Sequence, residues 1–167
     1  MNTLFAPWRM EYVLSPKEDG CIFCLAESTS QDQNNLVLVR GKLCFVIMNR
    51  YPYANGHLMV APYRHGPDLT ELNEAEATEL TFWMQHAVRV LREAISPDGF
   101  NIGLNLGDVA GAGIQDHLHM HIVPRWHGDT SFMTVCSQTR VVPEDLATTH
   151  AKLAPLFRVP PSPSNPA

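Results

Sequence analysis

His117-Leu118-His119-Met120-His121-Ile122-Val123-Pro124 sets three histidines in strict alternation with apolar residues. Extended chain turns successive side chains to opposite faces. The stretch therefore reads as a half-buried β-strand, with all three imidazoles on one face and Leu118, Met120 and Ile122 in a core. A core strand gains nothing from three rings that must each be desolvated and hydrogen-bonded, and a plain wet face seldom uses His. The alternation marks a face built for chemistry.

Upstream lies Asn105-Leu106-Gly107-Asp108-Val109-Ala110-Gly111-Ala112-Gly113-Ile114-Gln115-Asp116. Small residues let backbone amides approach an anion, and a run of such amides makes a phosphate nest. Here the nest leads straight into the histidines, so a bound phosphate would sit beside an imidazole. A neutral imidazole can attack phosphorus and form a covalent intermediate. Its other ring nitrogen must then be pinned by an acceptor, so that the attacking nitrogen keeps its lone pair. A flanking His can donate to phosphate oxygens or protonate a leaving group.

Further out, Leu36–Arg40 and Cys44–Met48 flank Gly41-Lys42 and predict a hairpin. Tyr51–Gly56 is a loop, and His57–Pro62 the next strand. Residues 71–95 repeat apolar side chains at helical spacing, with Asn73 as N-cap and Pro97 beyond the end. Phe100–Leu106 alternates as a strand, and residues 144–157 predict a second helix. Strands gathered around one long helix indicate an α+β meander. Residues 1–20 read as an N-terminal arm with docking aromatics, 21–158 as the domain, and 159–167 as a Pro-rich disordered tail.

At 167 residues, 45% hydrophobic and 17% charged, the chain is a globular domain with a real core. A net charge of −5 excludes broad nucleic-acid or membrane-surface binding, though not a small phosphate ligand. No apolar run approaches the roughly 20 residues of a membrane span. Met1–Met10 lacks a signal-peptide core, so a cytoplasmic location is expected. Cys21-Ile22-Phe23-Cys24 has metal-knuckle or redox spacing, while Cys44 and Cys136 read as small core residues. His86, His127 and His150 read as exposed or satisfied surface histidines, and Phe82 and Trp83 as core or interface.

His117-x-His119-x-His121 followed by apolar residues resembles the signature of the histidine triad superfamily of nucleotide hydrolases and transferases. The likeness extends through Phe45–Arg50 and Asn55–Pro62, which resemble the nucleotide-binding half of these proteins. Leu4–Tyr12 and Asp116–Trp126 resemble the bacterial diadenosine tetraphosphate phosphorylase branch. Some 140 residues are covered.

The resemblance implies a five-stranded antiparallel sheet with one long and one short helix, and a homodimer formed through the long helix and a sheet edge. It implies His119 as the nucleophile that becomes adenylylated, His121 at the phosphate or leaving group, and His117 in support. It also implies Asn49 on the ribose and His57 behind the triad. Asn105 and the backbone of Gly111, Ala112, Gly113 and Ile114 would hold phosphates, and Ile22, Phe23, Phe45 and Ile47 would form the adenine slot. Zinc would be held by Cys21, Cys24, His65 and His117, a closed and therefore structural set. The hydrolase branch carries Gln and then Ser or Thr where this chain has Gly113-Ile114. The smaller residues leave room and backbone donors for a second substrate, and so favour inorganic phosphate over water as acceptor. The competing readings are a dinucleoside polyphosphate or adenosine phosphoramidate hydrolase, and a nucleotide sensor without turnover.

Overall fold

The computed structural model describes residues 20–28, 31–129 and 142–158. The N-terminal arm before Gly20, the tail after Arg158 and Cys136 lie outside the described residues. In chain order the elements are α1 (Ile22–Ser28), β1 (Val37–Arg40), β2 (Cys44–Met48), β3 (Leu58–Pro62), α2 (Glu74–Ile95), β4 (Gly99–Gly103), β5 (Met120–Arg125) and α3 (Leu146–Phe157). The strands form one antiparallel sheet in the order β1-β2-β3-β5-β4. The expected α+β architecture is present, with α1 as an addition.

Helix α2 begins as its sequence dictates. The Asn73 side chain accepts from the Glu76 amide, and the Glu76 carboxylate accepts from the Asn73 amide. This reciprocal capping box satisfies two of the donors a helix start leaves orphaned. Leu80, Trp83, Ala87, Val90 and Leu91 form the buried stripe, which packs on one side of the sheet against Cys44, Val46, Leu58, Val60 and Ile122. Burial, then Glu79 and Glu76, raise the Cys44 thiol to about 12, as suits an inert core residue. Glu79 fastens the β1–β2 turn to α2: one carboxylate oxygen accepts from the amides of Lys42, Leu43 and Cys44 and from Trp83 Nε1. A Cβ on Gly41 would stand 2.1 Å from that oxygen, so the turn needs glycine.

The register fixes which side chains share the opposite side. Phe45 pairs with Ala61, Ile47 with Met59, Met59 with His121 and Gly103 with His121. Directly opposed residues point the same way, so this face carries Phe45, Ile47, Met59 and His121.

Two of the surface histidines are corrected. His150 is buried and donates from Nε2 to the Val37 carbonyl at 3.0 Å, tying α3 to β1. His86 is 5% exposed among Phe82, Trp83 and Phe157, and neither ring nitrogen has a hydrogen-bond partner among the described residues. Burial, then Arg89, lower its pKa, which keeps the ring neutral among those aromatics. Phe157 of α3 covers His86, and His150 lies on α3 itself and is buried against β1, so both burials come from the docking of segments far apart in sequence, which no local pattern announces. His127 is exposed, as expected.

Candidate active site and metal cluster

The triad stretch is extended, but ladder pairing begins only at Met120. His117 and His119 precede the strand proper, a correction to the expected eight-residue strand. The segment is held there by the Leu118 amide, which donates to the Gly66 carbonyl at 2.7 Å. Leu118 and Ile122 are buried and Met120 is half-buried. The rings lie together on the other side. His119 and His121 have centroids 4.7 Å apart, and Phe23 sits 5.0 Å from His117 and 4.9 Å from His119.

Hydrogen bonds assign each ring its tautomer, because a carbonyl can only accept and an amide N–H can only donate. His119 Nδ1 lies 2.8 Å from the His117 carbonyl. Nδ1 therefore carries the hydrogen, and Nε2 keeps its lone pair. His57 Nδ1 receives the Tyr53 amide at 3.1 Å, with Asn49 Nδ2 at 3.4 Å. Neutral His57 thus carries its hydrogen on Nε2 and donates it to His121 Nδ1 at 2.9 Å. His121 in turn bears its hydrogen on Nε2, on a half-buried ring that lines a cleft. Burial, then His121 and His119, push His57 down to about 3. Burial, then His119, push His121 down to about 4. Burial also lowers His119, against the bond to the His117 carbonyl that raises it. All three rings are neutral near pH 7, the state that nucleophilic attack and hydrogen-bond donation require.

His117 faces the other way. Its Nε2 donates to the Pro62 carbonyl at 2.8 Å, leaving Nδ1 with a lone pair 3.3 Å from Cys21 Sγ and 3.6 Å from Cys24 Sγ. His65 Nδ1 is 3.3 Å from Cys24 Sγ. The ligand atoms of Cys21, Cys24, His65 and His117 all lie within 4.8 Å of one another. Two thiols and two imidazoles at that spacing fit a tetrahedral metal, and the Pro62 carbonyl supplies the outer bond that usually fixes a ligating His. Helix α1 brings the thiols together: the Leu25 amide bonds the Cys21 carbonyl, so Cys21 opens the helix and Cys24 falls one turn on. Arg40 Nη2 bonds the Ala26 carbonyl and Arg40 Nε bonds Asp32, pinning α1 to the end of β1.

Other expected site residues are placed differently. Phe23 and Phe45 have no exposed surface and Ile47 is 5% exposed. Phe23 fills the space against two histidines, and Phe45 stacks on Tyr63 at 5.3 Å. These three are packed beneath the surface, as His119 is, while Ile22 is exposed. In the loop, the Gly111 amide bonds the Asp108 carbonyl and the Ala112 amide the Gly107 carbonyl. Those two amides bond within the loop, whereas the Gly113 and Ile114 amides make no backbone bond of this kind among the described residues. Asn105 Nδ2 reaches the Gly111 carbonyl at 3.4 Å, linking β4 to this loop. Asn49 Oδ1 accepts from the Tyr51 amide. Sequence reasoning missed Tyr53, whose amide sets the His57 tautomer and whose ring lies 4.7 Å from that of His57. An aromatic inside the polar, Pro- and Gly-containing loop 51–56 was its only signal. It also missed the carbonyls of Pro62 and His117, since main-chain groups carry no residue identity.

Comparison with known proteins agrees with this geometry. The HIT domain family model matches residues 30–128. Proteins named AP-4-A phosphorylase from two strains of Mycobacterium tuberculosis are 39% identical over 162 residues, covering 92% of this chain and 83% of theirs. A bis(5'-nucleosyl)-tetraphosphatase [asymmetrical] of Schizosaccharomyces pombe is 35% identical over 95 residues, covering 57% of this chain and 52% of its own. A zinc-bound histidine triad family protein from Mycobacterium smegmatis superposes with a TM-score of 0.66 at 27% identity, covering 83% of this chain and 94% of that one.

Proposed function

The chain belongs to the histidine triad (HIT) domain family, and from that premise we propose that it is a nucleotidyltransferase cleaving diadenosine tetraphosphate by phosphorolysis to ADP and ATP. The observation that carries this reading is the 2.8 Å bond from His119 Nδ1 to the His117 carbonyl, which leaves Nε2 free to attack. His119 Nε2 forms a P–N bond to the α-phosphorus as the bridging P–O bond to the departing ATP breaks. His121, with its hydrogen on Nε2, donates to the oxygen that leaves. Inorganic phosphate then attacks the adenylyl phosphorus from the side that ATP has left, opposite the P–N bond, which breaks to return His119 Nε2 its lone pair as ADP departs.

Two features support phosphate as the acceptor. Two relatives that cover 92% of this chain bear a phosphorylase name. A Cβ built on Gly113 meets none of the described residues within 4 Å, so there is space beside the loop where a larger side chain would intrude. Relatives named as hydrolases support water as the alternative acceptor. Asn49 on the ribose, and the Gly113 and Ile114 amides on phosphate, complete the binding set.

Zinc in the Cys21, Cys24, His65 and His117 set would be structural, joining α1 to the start of the triad; the donor set and the zinc-bound neighbour support it. Exposed Phe82 on α2 and Ile102 on edge strand β4 are compatible with a homodimer. Cys21, Cys24 and Cys44 form no disulfide among the described residues, which suits a cytoplasmic setting. No helix among the described residues is long and apolar enough to cross a membrane.

Product analysis is the test. Diadenosine tetraphosphate is incubated with and without phosphate. ADP and ATP formed only with phosphate is the expected result. AMP and ATP without phosphate would establish hydrolysis instead, and binding without turnover would leave a sensor.

A further inference from the structure

A cleft of about 910 Å³ opens beside His121 and runs along β4 and β5 to Arg125 and Trp126. It lies on the far side of His121 from Asn49: across the sheet the order is Asn49 at the end of β2, His57 at the start of β3, His121 on β5, then β4. We propose that this cleft is the subsite for the second nucleoside, the one that departs as part of ATP, an inference that rests on dinucleotide cleavage by this site.

Its chemistry suits a nucleoside better than a bare phosphate chain. Arg125 is the cation of the cleft, but its charge is matched by Asp129 through bonds of 2.5 and 2.9 Å. Arg125 Nη1 also donates to Asn101 Oδ1 at 2.8 Å, which leaves the Asn101 NH2 group as a donor at the cleft wall. Among the described residues, the other polar groups of the lining are the His121 and His127 imidazoles, aromatic rings and amides. Tyr53 is 47% exposed, with its ring over the His57–His121 pair, and Trp126 stands at the other end. The floor is open at Gly103, where an added Cβ meets none of the described residues within 4 Å. Residues 121 to 125 span about 13 Å of strand, room for phosphates to lead away from His121 before a base reaches an aromatic ring. Purine stacking on such rings contributes to binding without charge.

The test compares diadenosine tetraphosphate with adenosine 5′-tetraphosphate, which has the same phosphates and one nucleoside fewer. Both are assayed in the presence of phosphate. The wild type is expected to favour the dinucleotide in kcat/KM. Tyr53→Ala and Trp126→Ala should each shrink that preference about tenfold, in line with one lost base stack, and Tyr53→Phe should restore it. The Tyr53 amide that sets the His57 tautomer survives all these changes. Equal losses on both substrates, or a wild type with no preference, would overturn the subsite while leaving the cleavage reading standing. A wild type that cleaves neither substrate would overturn both.

Discussion

His117 and His121 carry the same side chain four residues apart, and the fold engages opposite nitrogens of the two rings. His117 gives its Nε2 hydrogen to the Pro62 carbonyl and turns Nδ1 toward two thiols. His121 takes a hydrogen bond on Nδ1 from His57 and keeps its own hydrogen on Nε2. One end of the segment is arranged as a ligand, and the other as a donor. Between them, His119 is set as a nucleophile by its own chain. An imidazole's role follows from which nitrogen its surroundings occupy, and a motif written as three identical letters conceals that division.

The sharpest way to break the comparison is at its midpoint. His119→Ala should lower turnover by at least about 10⁴-fold while nucleotide binding persists, as expected when a covalent nucleophile is removed. Rates within tenfold of wild type would move the nucleophile elsewhere. At the donor end, His57→Ala removes the partner that fixes His121, and should cost kcat about 10–100-fold, the range for losing a group that orients an imidazole. An unchanged kcat would mean that His121 needs no such partner.

At the ligand end, Cys24→Ser should abolish metal retention, read by elemental analysis against about one zinc per wild-type chain. It should also lower Tm by about 10 °C, since a bound metal stabilises only the folded state. An unaltered Tm with no zinc in either protein would remove the cluster. The smallest effect is a pH response. His57 and His121 lie near 3 and 4, below the ordinary His value. The unfolded chain takes up protons below about 6.5, whereas the folded rings do so only near 4 and then 3. Stability should therefore be full above about pH 6.5 and fall as the pH drops toward 4 and 3. In the folded protein, NMR should find both rings neutral and unmoved between pH 8 and 5. A midpoint near 6.5 for either ring would place it in open solvent.

Much of this was legible in the sequence, for reasons of period and local chemistry. Strand β2 falls where Cys44–Met48 was read, and Asn73 caps α2 as its side chain and Glu76 require. The apolar partners of the triad, Leu118 and Ile122, are buried. The spacing of Cys21 and Cys24 anticipated a metal set, but not the helix that holds it. Seven residues without a periodic face give no helical signal; the end of α1 is fixed by Arg40, fourteen positions beyond Ala26. Alternation tells which face Phe45 and Ile47 take, but not what covers that face. His86 and His150 were misread because only packing by α3 decides their burial.

The 2.8 Å bond to the His117 carbonyl has an evolutionary consequence. The acceptor that holds the nucleophile belongs to the main chain, so no exchange of amino acids can delete it. Mutational scans at position 117 would report on the thiol cluster and stay blind to this second duty. Exposing it takes chemical synthesis: an ester in place of the 117–118 amide weakens the carbonyl as an acceptor with every side chain kept, and an ester that removes only a loop amide elsewhere serves as the control for the Leu118 bond to Gly66 that is lost with it.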